Sequence, residues 1–209
     1  QEAENSNIEE TSYRYNNIGS FLVTLSVESN EGCFNYYSDS IKIYDNPQAN
    51  FSVVNFVCAG EEVQFNNHSL GHGDSIINWH WSMGDGVNLY SQEPSYVYVN
   101  PNYYDVSLSI ISEFGCKHDT IINSAIQVVE SPVASFGVSS FEVSEINSEI
   151  SFYNYSHSYK NIEWDFGNGY VSNEINPIIE FNDVGEYNIV LIASNDFGCE
   201  SKEIKSINV

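Results

Sequence analysis

Basic residues are scarce in this chain of 209 residues, where six Lys and Arg stand against 29 Asp and Glu, for a formal net charge of -23. A surface of that sign repels phosphate backbones and anionic lipid headgroups, so nucleic acids and membrane surfaces are disfavoured as partners. Long apolar runs are also missing. No stretch approaches the ~20 residues that span a bilayer, and residues 1–10 have no apolar signal-peptide core. We therefore expect no direct membrane insertion.

Motifs for catalysis and for metal binding are missing as well. The chain contains neither a G-x-S-x-G elbow nor H-E-x-x-H, and its four cysteines form no C-x-x-C pair. His68 and His72 are four residues apart, but Gly71 and Gly73 place them in a loop, where we expect solvated side chains rather than a zinc site. The sequence predicts a protein that is not an enzyme and that has no catalytic residues and no cofactor.

What the chain has in plenty is apolar and aromatic side chains. Hydrophobic residues make up 42% and aromatic residues 14%, which is enough to form a core and argues against generic disorder. The negative charge is spread along the chain, with -6 over residues 1–47, -8 over 48–131 and -9 over 132–209. Such a distribution indicates several acidic modules rather than one acidic tail.

An internal repeat organises the sequence. Residues 15–33, 98–116 and 181–199 are evenly spaced, and each contains an aromatic residue, a second aromatic residue six positions later and a Gly-Cys pair twelve positions after that. A second signature, a tryptophan followed by two glycines, occupies residues 81–86 and returns at the same interval at 164–169. Anchors that share one period are the mark of a repeat architecture.

Within each repeat the apolar residues alternate with polar ones. Phe21, Val23, Leu25 and Val27 occupy every second position, and the same alternation recurs at the matching positions of the other two repeats. Period two predicts strands with one buried face, and turn signals about every ten residues favour sandwiches of short antiparallel strands. The predicted fold class is all-β.

Proline marks the predicted domain boundaries. Asn46-Pro47 and Ser131-Pro132 follow the last strand of a repeat, which divides the chain into residues 1–47, 48–131 and 132–209. The first part has no tryptophan-glycine signature and contains only the C-terminal half of a domain. Because half a sandwich leaves its apolar face open, we expect the sequence to be a piece of a longer repeat array.

With these residues in view, the chain resembles tandem PKD (polycystic kidney disease) repeats, which are immunoglobulin-like β-sandwiches. The family hallmark is W-D-F-G-D-G followed by Y-x-Y-x-x-x-G-x-Y-x-V-x-L, and residues 164–169 read W-D-F-G-N-G. Phe181, Gly185 and Tyr187 continue the match, whereas the second repeat departs from it with Ser82 and Met83 in the signature. The resemblance implies tandem antiparallel sandwiches, the first of them incomplete.

The Gly-Cys pair after the long strand and the Pro-x-Ala-x-Phe opening at residues 132–136 resemble exported surface proteins of Bacteroidetes. The resemblance implies type IX secretion and a non-catalytic structural or adhesive array at the bacterial cell surface, such as the stalk of a gliding-motility adhesin. An accessory module of a secreted hydrolase, binding carbohydrate or protein, is the alternative. Neighbouring repeats of a larger chain are the implied partners, with a surface glycan or protein as the implied ligand.

The hallmark residues have structural roles. The tryptophans fill a thin two-sheet core, the glycines permit turns with positive φ, and the Asp or Asn of each turn bonds neighbouring backbone amides. The residues so assigned are Trp81, Gly84, Asp85, Gly86, Trp164, Gly167, Asn168 and Gly169.

Cys58 and Cys116 form the predicted disulfide, because an exported setting favours a bridge within one domain. The bridge closes a loop of about 58 residues, worth roughly 4 kcal/mol in the chain-entropy model; two free thiols are the alternative. Glu145 occupies the third repeat's counterpart of Cys58, so Cys199 is predicted to be unpaired. The partner of Cys33 is expected in the missing half-domain.

Three further groups of residues are candidates for ligands or modification. Some PKD domains bind calcium, and Asp85 and Asp165 are the carboxylates at hallmark positions, although solvated surface charge is the favoured interpretation. Trp79 is the candidate for glycan binding, with core packing favoured. The D-S/T-aliphatic pattern implied by the resemblance gives the O-glycosylation candidates Ser40, Ser75 and Thr120.

Overall fold

The computed structural model describes residues 6–7, 10–142 and 149–209, and every regular element in them is a β-strand. The all-β prediction is therefore confirmed. These ranges contain no helix that is long and apolar enough to cross a bilayer. The strands are β1 (Gly19–Glu28), β2 (Phe34–Ile43), β3 (Phe51–Ser52), β4 (Phe56–Cys58), β5 (Glu62–Gln64), β6 (Asn66–Asn67), β7 (Ile76–Ser82), β8 (Asn88–Leu89), β9 (Ser95–Val97), β10 (Asn102–Ser112), β11 (Lys117–Val129), β12 (Phe136–Val138), β13 (Glu149–Asn154), β14 (Asn161–Asp165), β15 (Val171–Ser172), β16 (Ile178–Glu180), β17 (Glu186–Ser194) and β18 (Glu200–Asn208).

Strands β3–β11 form what we call the second sandwich. One sheet has the order β4-β11-β10-β7-β8, and the short pairs β3-β6 and β5-β9 lie against it. Trp81 is fully buried in the core between them and pairs across the sheet with Leu108. A bulge in β11 near Ser124, where φ is 48°, shifts the register between β10 and β11. Strand β4 runs parallel to the end of β11, a pairing that the sequence pattern did not predict.

Strands β12–β18 form the third sandwich on the same plan. A sheet of order β15-β14-β17-β18 packs against one of order β12-β13-β16. Trp164 is fully buried at its centre and pairs with Leu191, as Trp81 pairs with Leu108 at the equivalent positions of the second sandwich. The two sandwiches have separate hydrophobic cores.

Strands β1 and β2 form a long antiparallel hairpin, which we call the first hairpin. Its ten residue pairs run from Gly19 opposite Ile43 to Glu28 opposite Phe34. It corresponds to the hairpins β10–β11 and β17–β18 of the two sandwiches. In the described part of the chain, however, no third strand joins it, and most of its apolar side chains are exposed.

Candidate functional site: the junction between the two sandwiches

A disulfide joins the second sandwich to the third. Cys58 ends β4 and Cys199 directly precedes β18, with Cα atoms 5.7 Å apart. Both cysteines are buried, and with Val129 they form a small apolar cluster of their own between the two cores. We call this disulfide the junction clamp. It brings together residues 141 positions apart in the sequence.

Cys199 lies at the end of a tight turn that links β17 to β18. The backbone NH of Asn195 donates to the carbonyl oxygen of Cys199 at 3.1 Å, and Gly198, with φ of 84°, permits the reversal. Asn195 Oδ1 accepts from the backbone NH groups of Phe197 and Cys199, at 2.9 and 3.0 Å. We call residues 195–199 the tip turn; its own hydrogen bonds help to position the cysteine.

The tip turn and the nearby Ser158 make further contacts across the junction. Asn195 Nδ2 donates to the carbonyl oxygen of Glu130 at 2.8 Å, and the hydroxyl of Ser158 donates to the Glu130 carboxylate at 2.8 Å. The ring of Phe197 lies 5.8 Å from that of Phe56, which begins the strand that ends in Cys58. An open cleft of about 290 Å³ lies beside these residues. One covalent bond, two hydrogen bonds and an aromatic contact thus fix this end of the third sandwich to the second.

The predicted disulfide between Cys58 and Cys116 is wrong. Cys58 pairs with Val129, at the opposite end of β11 from Cys116, and thirteen extended residues span about 40 Å. A disulfide needs Cα atoms within about 7 Å, so the two cysteines cannot meet inside one sandwich. Cys116 and Cys33 are both free thiols in the structure, whereas Cys199, predicted to be unpaired, is bonded. Glu145, on which that prediction depended, lies outside the described residues.

The same tip turn occurs three times in the described part of the chain. In residues 29–33 and 112–116 a serine replaces Asn195, and its hydroxyl accepts from the cysteine NH at 3.1 and 3.2 Å. The backbone bonds between the first and fifth residues recur in both turns. All three repeats have a cysteine at the tip, whereas Cys58 occurs in one repeat only. This difference was the available sequence signal for a disulfide between repeats rather than within one.

The second tip turn also faces the module that precedes it. The ring of Phe114, the counterpart of Phe197, stacks on that of Tyr44 at 4.9 Å. Asp74 is buried, and one oxygen of its carboxylate accepts from the Phe114 NH at 3.3 Å. Phe114 thus contacts the end of the first hairpin much as Phe197 contacts the second sandwich.

The hallmark residues lie in matching turns of the two sandwiches. Trp81 Nε1 donates to the carbonyl oxygen of Ser91 at 3.0 Å, and Trp164 Nε1 to that of Glu174 at 2.9 Å. The turn glycines all have positive φ, and in each turn a side-chain oxygen accepts from the backbone NH two residues later, at 3.1 Å for Asp85 and 3.0 Å for Asn168. The glycines are Gly84, Gly86, Gly167 and Gly169.

Asp85 and Asp165, the calcium candidates, belong to different sandwiches and are engaged in local hydrogen bonds. Asp85 also accepts from the Tyr96 hydroxyl at 2.6 Å, and Asp165 accepts from the Gly167 NH at 2.9 Å. Among the described residues, no group of three or more His, Cys, Asp or Glu side chains is placed to hold a metal ion.

Two tyrosines of the second sandwich have shifted acidities. Burial, followed by the hydrogen bond to Asp85, raises the pKa of Tyr96 to about 12. Burial and the nearby charge of Asp85 raise the pKa of Tyr98 still further. Tyr98 donates to the carbonyl oxygen of Met83 at 2.9 Å, so its hydroxyl contributes to the core rather than to a reactive site.

The remaining candidates lie apart from the junction. Trp79 is half-buried against the core of the second sandwich, and its indole Nε1 is buried without a hydrogen-bond partner. Ser40 and Ser75 are exposed, whereas Thr120 is half-buried in β11. Their assignments to glycan binding and O-glycosylation stay predictions.

Comparison with known proteins locates one family match. Residues 44–128 match the family model for the PKD domain. Collagenase ColQ1 of Bacillus cereus is 41% identical over 46 residues, which are 22% of this chain and 5% of that protein. The chain thus spans one twentieth of the length of this curated relative.

Two solved structures that are similar to parts of this chain are PKD domains of Vibrio proteins. The PKD1 domain of Vibrio anguillarum Epp is 24% identical, with a TM-score of 0.37, covering 42% of this chain and all of that one. The PKD1 domain of the Vibrio cholerae metalloprotease PrtV is 28% identical, with a TM-score of 0.33, covering 38% of this chain and 96% of that one.

Proposed function

We propose that this chain is a non-catalytic, extracellular structural module of a larger bacterial protein, in which a disulfide fixes one sandwich to the next. The junction clamp is the observation that supports this proposal. Structural disulfides persist in oxidising compartments and are rare in the cytosol. A bond that joins two separate cores sets their mutual orientation.

The finer proposal is the stalk of a Bacteroidetes-type surface adhesin, exported by type IX secretion and used in adhesion or gliding. Short connections and a fixed junction suit a spacer that holds a distal binding surface away from the cell. The charges of -8 and -9 on residues 48–131 and 132–209 suit it too, because like-charged modules resist collapse onto one another.

A matched pair of double variants tests the clamp. Cys58→Ser with Cys199→Ser removes it, while Cys33→Ser with Cys116→Ser keeps it and removes only the free thiols. Without the clamp we expect both sandwiches to stay folded, amide exchange in the tip turn to accelerate, and small-angle scattering to show a wider spread of sizes. The control should match the wild type. Identical exchange and scattering in all three proteins would contradict a structural role for the disulfide.

A second candidate function is an accessory module of a secreted hydrolase, supported by the 46-residue similarity to a collagenase. Cosedimentation of the whole chain with insoluble collagen, chitin and cellulose tests it. Binding that disappears in Trp79→Ala, while the thermal midpoint is retained, would favour this candidate. Failure to bind any of these polymers would favour the spacer.

A further inference from the structure

The first hairpin shows an apolar face that its counterparts bury. Leu25 is 63% exposed, whereas its equivalents, Leu108 on β10 and Leu191 on β17, are fully buried. The same contrast holds for Val23 and Val27 and their equivalents. Because the sequence pattern is the same in all three hairpins, the difference lies in what covers them.

The two sandwiches show what the cover is. In each, the strands that precede the long hairpin lie across its inner face and pair with its edge, β7 with β10 and β14 with β17. We call these preceding strands the opening half; in the second sandwich it comprises β3–β9. The edge of β11 pairs with a parallel strand of the same opening half, β4, which ends in Cys58.

The strand register identifies the corresponding place on the first hairpin. Phe21 is opposite Ile41, as Tyr104 is opposite Ile126, so Tyr44 corresponds to Val129. A parallel strand added there would place its last residue beside Tyr44, as Cys58 lies beside Val129. Tyr44 is already stacked on Phe114, two residues before the free thiol of Cys116.

We propose that the first hairpin and Cys116 together form an acceptor site for the opening half of another PKD-type sandwich, whose parallel strand ends in a cysteine that bonds to Cys116. Two independent observations meet at this site. One is the uncovered sheet face, and the other is the equivalence of Cys116 with Cys199, which bonds to such a strand in this chain. A second copy of the chain is not the occupant, because its own Cys58 is engaged with Cys199. The inference goes beyond the spacer function and does not depend on it.

Formation of the bond is an oxidation and needs an acceptor. The two thiols lose two protons and two electrons as the S–S bond forms. An external disulfide, such as oxidised glutathione, accepts the two electrons and the two protons and becomes two thiols. Exchange through a mixed disulfide supplies this route in an oxidising compartment.

The test supplies the occupant to the full chain. A copy of residues 48–97 is placed before residue 1, so that residues 1–14 join it to the first hairpin, and a connection of that length costs little. After refolding with oxidised and reduced glutathione, unreduced peptide mass spectrometry should link the added cysteine to Cys116. Cys33 should remain open to alkylation, and exchange of the β1 and β2 amides should slow. The matched control has serine in place of the added cysteine and should leave Cys116 open to alkylation.

Several results would overturn the proposal. Among them are a link from the added cysteine to Cys33, equal alkylation of Cys116 in both extended chains, and a dimer joined through Cys116, which would assign the site to a second copy.

A second measurement uses the chain without extension, in case the longer protein does not fold. A peptide copying residues 53–60 is offered in the same glutathione buffer. It should modify Cys116 several-fold more than the more exposed Cys33, whereas a scrambled peptide should not. Equal modification by the two peptides would contradict the acceptor site.

Discussion

The first hairpin and the hairpin β10–β11 have the same alternating pattern and the same tip turn, yet they differ in burial. Every inward-facing position of β10 from Tyr104 to Ile110 is buried, and the corresponding positions of β1 are half-buried or exposed. Local sequence is therefore enough to specify a hairpin, its register and its turn. The free energy of burial, about 1.5–3 kcal/mol for each large aliphatic side chain, comes from the opening half that lies over it.

The largest effect is expected from truncating equivalent leucines. Leu108→Ala leaves a cavity in a closed core and should lower the free energy of unfolding of the second sandwich by about 2–5 kcal/mol. Leu25→Ala removes an exposed side chain and should change the free energy of unfolding of the first hairpin by less than about 0.5 kcal/mol. Urea unfolding followed by tryptophan fluorescence measures the second sandwich, whose β7 contains Trp79 and Trp81, and exchange of the β1 and β2 amides measures the first hairpin. A comparable loss in the two variants would show that the first hairpin is covered after all.

The next effect concerns the contact between an opening half and its hairpin. A Cβ on Gly84 would lie 2.4 Å from the carbonyl oxygen of Asp105 on β10, whereas one on Gly86 would meet nothing within 4 Å. Both have positive φ, so Gly86→Ala should cost about 1–2 kcal/mol and Gly84→Ala clearly more. Equal thermal midpoints for the two variants would indicate that β10 does not hold the turn so closely.

A moderate effect is expected at alkaline pH and only in the second sandwich. Tyr96 and Tyr98 correspond to Ile179 and Phe181 of the third sandwich, which do not titrate. Folding raises both tyrosine pKa values above the ordinary value of 10, so their contribution to stability is complete below pH 10. The contribution of Tyr96 is lost as the pH rises through about 12, and that of Tyr98 is lost at still higher pH.

Urea midpoints of the wild type and of Tyr96→Phe, measured at pH 8 and at pH 11, test this dependence. The wild type should lose more stability than the variant between the two values. An equal loss in both proteins would contradict it.

The smallest effect is expected from a single hydroxyl. Tyr104 donates to the carbonyl oxygen of Asn100 at 2.8 Å, and Tyr187 donates to that of Asp183 at 2.9 Å, whereas Phe21 has no hydroxyl at the corresponding position. Tyr104→Phe gives the second sandwich the same side chain that the first hairpin has at Phe21. The loss of the hydroxyl should lower the free energy of unfolding by about 0.5–1.5 kcal/mol. Differential scanning calorimetry can resolve this change, and an unchanged midpoint would show that the bond is not needed.

What the sequence predicted correctly is mostly local. Period two and the glycine turns depend on neighbouring residues, so the all-β fold and the roles of Trp81 and Trp164 could be predicted from short segments. The cysteine pattern contained a signal for a disulfide between repeats, but the partner of Cys58 could not be predicted, because it depends on which end of β11 is joined by β4. That choice is made by strand β4 running parallel to β11, a long-range contact with no local signature.

The junction clamp also decides where a pulling force would travel. For a load applied on the amino side of Cys58 and on the carboxyl side of Cys199, the shortest covalent path crosses the S–S bond. Residues 59–198 lie inside the closed loop, so the core strands β5–β17 are outside the load path. Even complete unfolding of both cores would not release that length, about 450–500 Å at 3.3–3.6 Å per residue. The module would act as a nearly inextensible link until a reductant opened it.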